Sequence, residues 1–373
     1  MDLKSLREQI DAVDDRLSAL YLQRLALVDQ VAAVKAESGT AVEHGDREAA
    51  ILDRLTASAG EDGWEISALY QEIFRLSKLR QRRDLSPEVA LPELVEFDDR
   101  APGLVCACQG REGAWSQRAA GQLLNRPDIR FFPRFSQVFE AVSGGEAPFG
   151  VLPLENSTAG TVNEVYDLLR RHGCYIAGGV RLAVSHCLAA LPGTKIEEVR
   201  RVISHEQALR QCRAFLSGQG WETLTAPNTA LAARQVAERG ERDLAVLASE
   251  EAAAANGLEI LRHGVTDQSR NFTRFILIAA RPLTTPRADR VSLALTLPHK
   301  KGQLCLILEL IASCGINLCK LESRPLPERP FEFLFYFDLE GSLREEGMRE
   351  LLKRLPLCCA DWRFLGCYEE KES

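Results

Sequence analysis

The sequence predicts a multidomain chain with an all-α segment first, an α/β segment in the middle and a small α+β unit at the end. Three observations predict it. Apolar residues recur at alternating spacings of three and four over residues 3–35, short apolar strands alternate with helices over residues 104–280, and residues 290–371 read strand, helix, strand, strand, helix, strand. At 373 residues, two or three domains of about 100–200 residues are expected. The boundaries fall at residues 1–84, a linker at 85–102, 103–280, a second linker at 281–289, and 290–371.

Composition narrows the function classes. With 46% hydrophobic and 27% charged residues the chain reads as an ordinary globular protein, and a formal net charge of −7 argues against general nucleic-acid binding. The charged start "MDLKSLREQIDAVDD" has no apolar h-region, so no signal peptide is expected. No run is read as the ~18–20 apolar residues of a membrane span. The 11 cysteines are odd in number and lack C-x-x-C spacing, so they are read as reduced core residues of a cytoplasmic protein without a metal.

In the first segment Leu3, Leu6, Ile10, Val13, Leu17 and Leu20 form the seam of a long helix that runs on to about Lys35, ~50 Å at 1.5 Å per residue. A second helix follows "HGDREAAILDRL" and a third runs "ISALYQEIFRLSKLRQRR". Three helices so unequal in length do not close a core alone, and an intertwined dimer is the expected remedy. Arg24 and Lys35 share one face of the first helix, ~16 Å apart along its axis, with Arg7 ~25 Å from Arg24. His44, Arg47 and Glu48 share a face of the second, and Ser77 and Gln81 interrupt the apolar stripe Ile66, Tyr70, Ile73 and Phe74 of the third. Polar groups placed where a core should be need partners, and a small dicarboxylate held between the cations would be one.

The middle segment supplies "LVCAC", "FGVLPLE", "VRRVIS", "DLAVLAS" and "TRFILIA" as strands, with helices between them. This order gives ligand crevices at the carboxyl ends of strands, and two lobes with a cleft account for it. Its last strand places an arginine in an apolar run. By alternation Phe272, Arg274, Ile276 and Ile278 share one face and Thr273, Phe275, Leu277 and Ala279 the other. A guanidinium there requires an anion, either an internal carboxylate or a ligand. His205, before Glu206 and Gln207, is read equally as part of a helix cap beginning at Ser204 or as a substrate contact. The final segment has the βαββαβ order of a ferredoxin-like unit.

The motifs "LREQIDAVDDRL", "LQRLALVDQVAAVK", "DREAAIL" and "IFRLSKLRQ" resemble the all-helical chorismate mutase family. The resemblance implies that Arg7, Arg24 and Arg47 hold carboxylates or order the site, that Lys35 and Gln81 donate to the ether oxygen of the breaking bond, that Glu48 binds the ring hydroxyl and that Ser77 contacts a carboxylate. His44 stands where some members carry aspartate. A Claisen rearrangement needs no cofactor, only a compact conformer and donors aimed at the charge growing on oxygen.

"QGREGAWSQRAA", "VLPLENSTAGTVNEVYDLL", "VISHEQALRQC" and "NFTRFILIA" resemble, in order, the motifs of prephenate dehydratase, with Cys108 and Gln117 as departures. The resemblance implies a two-lobed, periplasmic-binding-protein-like α/β fold with Asn156, Ser157 and Thr158 lining its cleft, and Thr273, Arg274 and Phe275 as its essential motif. Alternation alone reads Arg274 as a structural ion pair. The resemblance moves it into an anion-holding cleft beside Thr273, where it either touches the substrate or braces the threonine. "GINLCKLESRP" resembles the ACT regulatory domain, which implies an L-phenylalanine site including Glu322, Ser323, Arg324 and Pro325 with Gly302 and Leu304. Lys301 and Gln303 depart from that pattern. The implied function is chorismate to prephenate to phenylpyruvate, feedback-inhibited by L-phenylalanine, in a homodimer or tetramer without cofactor, metal, nucleic acid or membrane. The alternatives are a dehydratase with a decayed mutase segment and a small-molecule sensor.

Overall fold

The computed structural model describes residues 2–38, 45–85, 90–158, 160–267, 271–298, 302–326, 329 and 332–372. Of the expected site residues, His44 lies outside them, as does the loop residue Lys301.

The N-terminal unit is three helices: α1 (Leu3–Ser38), α2 (Gly45–Ala59) and α3 (Gly63–Leu85). Helix α3 lies against both others. Val28 and Ala32 of α1 and Phe74 of α3 are buried, but the expected seam stays open. Leu6, Val13, Leu17 and Leu20 are 42–60% exposed. The seam is apolar enough to change one expectation, because within Leu3–Lys35 there is a stretch that by length and composition suffices to cross a membrane. The polar residues Arg24 and Asp29 inside that helix are paired with Ser77 and Arg80 of α3, so this face of the helix is committed to the bundle.

The middle segment forms two sheets. The first carries, in order, Glu370–Glu372, Tyr175–Ala183, Phe272–Ala279, Phe149–Asn156, Val105–Gln109 and Asp128–Phe132. The second is Glu259–Arg262, Cys187–Ala190, Leu244–Ala248, Arg201–Ser204 and Glu222–Thr225. The strand Phe272–Ala279 runs antiparallel between two neighbours, with Thr273 opposite Asn156 and a bulge between Arg274 and Phe275. Its alternation is the one expected from sequence. Ile276 and Ile278 join the core shared with Tyr336 and Tyr368, while Phe275, Leu277 and Ala279 pack with Cys106, Leu123 and Val151 on the other side.

The C-terminal unit is a four-stranded antiparallel sheet in the order Leu318–Pro325, Phe333–Glu340, Arg290–Thr296, Asp361–Tyr368. The helices Gln303–Ser313 and Glu346–Arg354 cover one face through Ile307, Leu310, Leu351 and Leu352 against Leu293, Leu295 and Phe337. The alternate residues Ala294, Leu334, Tyr336 and Leu365 pack onto Tyr166 and Leu169 of the first lobe. A two-residue period thus makes this sheet a filling between its helices and the neighbouring lobe.

Two expected boundaries soften. The segments read as linkers pair with each other as parallel strands, Val95–Glu96 with Leu283–Thr284. Asp99 accepts from Arg287 at 2.8 Å and Lys371 at 3.0 Å. Burial alone would raise its carboxyl, but the bonds from Lys371 and Arg287 outweigh it and hold the group below the usual range. The last strand, Glu370–Glu372, joins the first lobe's sheet beside Tyr175–Ala183. Seven of the eleven cysteines are buried and none is bonded to another.

Candidate functional site

The structure gathers two separate constellations. On the helical unit Arg24 of α1 donates to Ser77 Oγ at 2.5 Å and lies over the Phe74 ring at 5.7 Å. Ser77 in turn donates to the Ile73 carbonyl at 2.6 Å. Gln81, one turn on, is buried with its Oε1 unpartnered, a costly state in a closed core and a natural one beside a ligand. Glu48 of α2 is tied to Lys78 of α3 at 3.0 Å. Lys35 is half-buried, while Arg7 and Arg47 are exposed. One chain therefore assembles Arg24, Ser77 and Gln81 on α1 and α3, but leaves Arg7 far along α1 from them.

The second constellation lies between the lobes, in a cavity of about 290 Å³ lined by Trp115, Asn156, His186, His205, Gln207, Gln211, Thr273 and Phe275, among others. A chain of hydrogen bonds crosses it. The Thr158 amide donates to Asn156 Oδ1 at 3.0 Å, which fixes which end of the Asn156 amide is oxygen. Asn156 Nδ2 then faces Thr273 Oγ1 and donates to it at 2.7 Å. With its oxygen accepting, the Thr273 hydroxyl keeps its own proton to give. From the other end Gln211 Nε2 donates to Thr158 Oγ1 at 2.9 Å, and Thr158 Oγ1 donates to Asn156 Oδ1 at 2.6 Å. The Gln211 oxygen is then left to accept from His186 Nε2, 3.3 Å away. His186 Nδ1 is thereby an unpartnered lone pair. Burial pulls this imidazole below its ordinary pKa, partly offset by the Gln211 bond, so the ring is held neutral.

Ser157, His205 and Ser204 each take a definite place around this cavity. Ser157 clamps the start of the threonine strand, its amide donating to the Phe272 carbonyl at 2.8 Å and its Oγ accepting from the Phe272 amide at 2.9 Å. His205 serves as the helix cap itself, Nδ1 accepting from the Gln207 amide at 3.3 Å, and it also lines the cavity. Ser204, expected to begin that cap, instead donates to the Leu247 carbonyl.

Arg274 is the correction. Its side chain leaves the cleft and enters the core between the first lobe and the C-terminal unit, where Glu370 and Asp338 hold it at 2.8 and 2.5 Å. Consecutive strand residues face opposite ways, so the motif that puts Thr273 and Phe275 in the cleft puts Arg274 behind it.

Sequence reasoning missed Trp115, His186, Gln207, Gln211 and Asn271. Gln207 and Gln211 had a signal, an i, i+4 polar pair on the helix after "VISHE". Asn271, which accepts from Asn156 Nδ2 at 3.0 Å, directly precedes the threonine strand.

In the C-terminal unit Glu322 accepts from Thr161 at 3.0 Å and Arg324 lies 3.6 Å from Asp167, so both face the first lobe. Ser323 and Pro325 alternate outward, with Ser323 opposite Phe335 on the helix-bearing side. Gly302 caps the helix Gln303–Ser313 at φ +78°, a left-handed value that favours glycine, and Leu304 packs into that unit's core.

Residues 6–82 match the family model for chorismate mutase type II, and residues 106–283 match that for prephenate dehydratase. The bifunctional chorismate mutase/prephenate dehydratase of Escherichia coli K12 is 32% identical over 98% of this chain and 96% of that protein. This chain belongs to the bifunctional chorismate mutase/prephenate dehydratase family. Arogenate dehydratase/prephenate dehydratase 2 of Arabidopsis thaliana is 39% identical over 74% of this chain and 75% of that protein. The structure of an Arthrobacter aurescens prephenate dehydratase in complex with L-Phe superposes with a TM-score of 0.64 at 25% identity, covering 71% of this chain and 90% of that one. The helical constellation thus lies inside the mutase match and the interlobe cavity inside the dehydratase match.

Proposed function

We propose that chorismate rearranges to prephenate on the helical unit, that prephenate loses water and carbon dioxide in the interlobe cleft to give phenylpyruvate, and that L-phenylalanine bound by the C-terminal unit, an ACT-type domain, inhibits the second step. The observation that carries this reading is the orientation of Thr273. Because a backbone amide fixes Asn156 and Asn156 donates to the threonine oxygen, the hydroxyl proton is left available to an acceptor in the cleft.

In the dehydration the ring carboxylate breaks its bond to the ring, the electron pair enters the ring, and the carbon–oxygen bond on the opposite carbon breaks. Aromaticity drives both losses. The departing oxygen carries growing negative charge, and an oriented hydroxyl stabilises it as it leaves. Threonine is too weak an acid to deliver a free proton, so Thr273 acts as a donor while water completes the proton balance.

On the helical unit Arg24 and Ser77 hold a carboxylate, Lys35 and Gln81 donate to the ether oxygen, and Glu48 takes the ring hydroxyl. The open seam of α1 is covered by a second copy, and Arg7 of the partner subunit completes the site. In the C-terminal unit Ser323 and Pro325, beside Gly302 and Leu304, line the effector site, with Glu322 and Arg324 linking it to the catalytic lobe. The relative solved with L-Phe supports that choice of effector.

The test follows chorismate, prephenate and phenylpyruvate together with the full chain, with and without L-phenylalanine. Sequential appearance of prephenate and phenylpyruvate, with the second suppressed by L-phenylalanine, is expected. A folded dimer that leaves chorismate untouched would favour a decayed mutase.

A further inference from the structure

Arg274 directly follows Thr273, but its side chain turns to the opposite side of the strand, where it lines a second cavity that shares only Asn156 with the first. The side chain is 5% exposed. Nε donates to Glu370 Oε1 at 2.9 Å, Nη2 to Glu370 Oε2 at 2.8 Å and to the Tyr368 hydroxyl at 2.9 Å, and Nη1 to Asp338 Oδ2 at 2.5 Å. Ser292 Oγ donates to Asp338 Oδ1 at 2.5 Å and lies 2.7 Å from the Tyr368 hydroxyl. With the Ser292 proton given to Asp338, Tyr368 must donate to Ser292, and Arg274, Tyr368, Ser292 and Asp338 form a closed, directed ring. These partners belong to residues 290–370, the C-terminal unit and the strand that follows it, while Arg274 belongs to the catalytic lobe. The close approach of Glu370 also depends on Gly179, where an added Cβ would stand 2.4 Å from Glu370 Oε2.

We propose that Arg274 is a positioning residue for the dehydration: the carboxylates of the C-terminal unit grip it, and through its backbone they set where the Thr273 hydroxyl points. The strand gives this grip leverage. Thr273 is paired on both sides, with Asn156 and Leu182, and the bulge immediately after Arg274 is where the register yields. A loosened Arg274 therefore displaces Thr273 before it disturbs Phe275 and beyond. Misplacement of a reacting group by even ~1 Å costs rate far more than it costs binding.

This inference rests on the reading of Thr273 as the donor, so Thr273→Ala is measured alongside. The variants Glu370→Gln, Asp338→Asn, Tyr368→Phe and Arg274→Lys are made in the full chain and assayed on prephenate. Glu370→Gln and Asp338→Asn are expected to lower kcat about tenfold with KM within about twofold, and Tyr368→Phe, the mildest change, about threefold. Arg274→Lys should behave like Glu370→Gln, and combining the two should add little. Chorismate turnover by the same preparations, on a different unit, reports folding and should stay at the wild-type rate. A rise in KM with kcat kept in Arg274→Lys would show substrate contact and overturn the inference, as would wild-type kcat in Glu370→Gln, Asp338→Asn and Tyr368→Phe. An active Thr273→Ala would instead remove the reading of the cleft on which the inference stands.

Discussion

The helical unit and the interlobe cleft place their polar residues in opposite surroundings. In the cleft Asn156, Thr273 and His186 are 3–9% exposed, and both lobes contribute to its lining. On the helical unit Arg24, Ser77 and Gln81 sit beside a leucine seam that one chain leaves open. Two sheets facing each other enclose a space by themselves, whereas three helices enclose little more than their own contact line. A ligand site on the helices must borrow walls, and a site between the lobes need not.

The largest expected effects separate the two sites. Thr273→Ala should lower phenylpyruvate formation by about 10²–10³-fold, the scale of one lost oxyanion-type donor, while chorismate turnover stays at the wild-type rate. Lys35→Ala should do the reverse on the same scale. Parallel assays of both activities on each variant check this, and loss of both activities in either variant would mean that the two sites are not independent.

Next in size is a change that touches neither set of donors. Leu17 is 52% exposed in the single chain. Burying a leucine contributes about 1.5–3 kcal/mol, counted twice in an interface related by a two-fold axis. Leu17→Lys should therefore shift the chain toward monomer in sedimentation and lower chorismate turnover at least about tenfold at dilute protein, with prephenate dehydration kept. Unchanged chorismate turnover by a monomer would show that one chain suffices, and the contrast between the two regions would fall.

Much of this contrast was legible in the sequence because it rests on periods. The three-and-four spacing announced both α1 and its unpaired face, and the two-residue alternation of "NFTRFILIA" already set Arg274 opposite Thr273. Of the two readings left open for Arg274, substrate contact came from letting a motif, which is a statement about neighbours in sequence, stand for neighbours in space. Its partners Asp338, Tyr368 and Glu370 lie 64–96 positions further on, and no local pattern encodes a contact at that range. His186 was missed for the same reason. Its Gln211 partner is 25 positions away across a lobe, and a single histidine between Ser185 and Cys187 carries no period at all.

His186 also gives the smallest and most specific prediction. Buried as it is, its pKa lies below the ordinary 6.5 chiefly through desolvation, with the Gln211 bond opposing. Trp115 stands edge-on to it and the Thr266 hydroxyl accepts from its backbone amide, so among the described residues these contacts with Trp115, Thr266 and Gln211 supply no charge to hold a proton on the ring. In the unfolded chain the ring protonates near the ordinary value, so in the interval just below it the unfolded state binds more protons than the folded one. Stability then rises with pH: the contribution is complete above about 6.5 and is lost as pH falls through the lower folded value. Acidification should accordingly lower the melting temperature of the dehydratase unit and its rate together, and His186→Gln should flatten that acid limb for stability. The pH dependence of chorismate turnover, on helices that do not touch His186, should be the same in both chains. A melting curve for His186→Gln that keeps the wild-type acid slope would assign the titration to another group. A shift in the chorismate profile would mean that protonation in the cleft is felt across the domain boundary, which the separate enclosure of the two sites forbids.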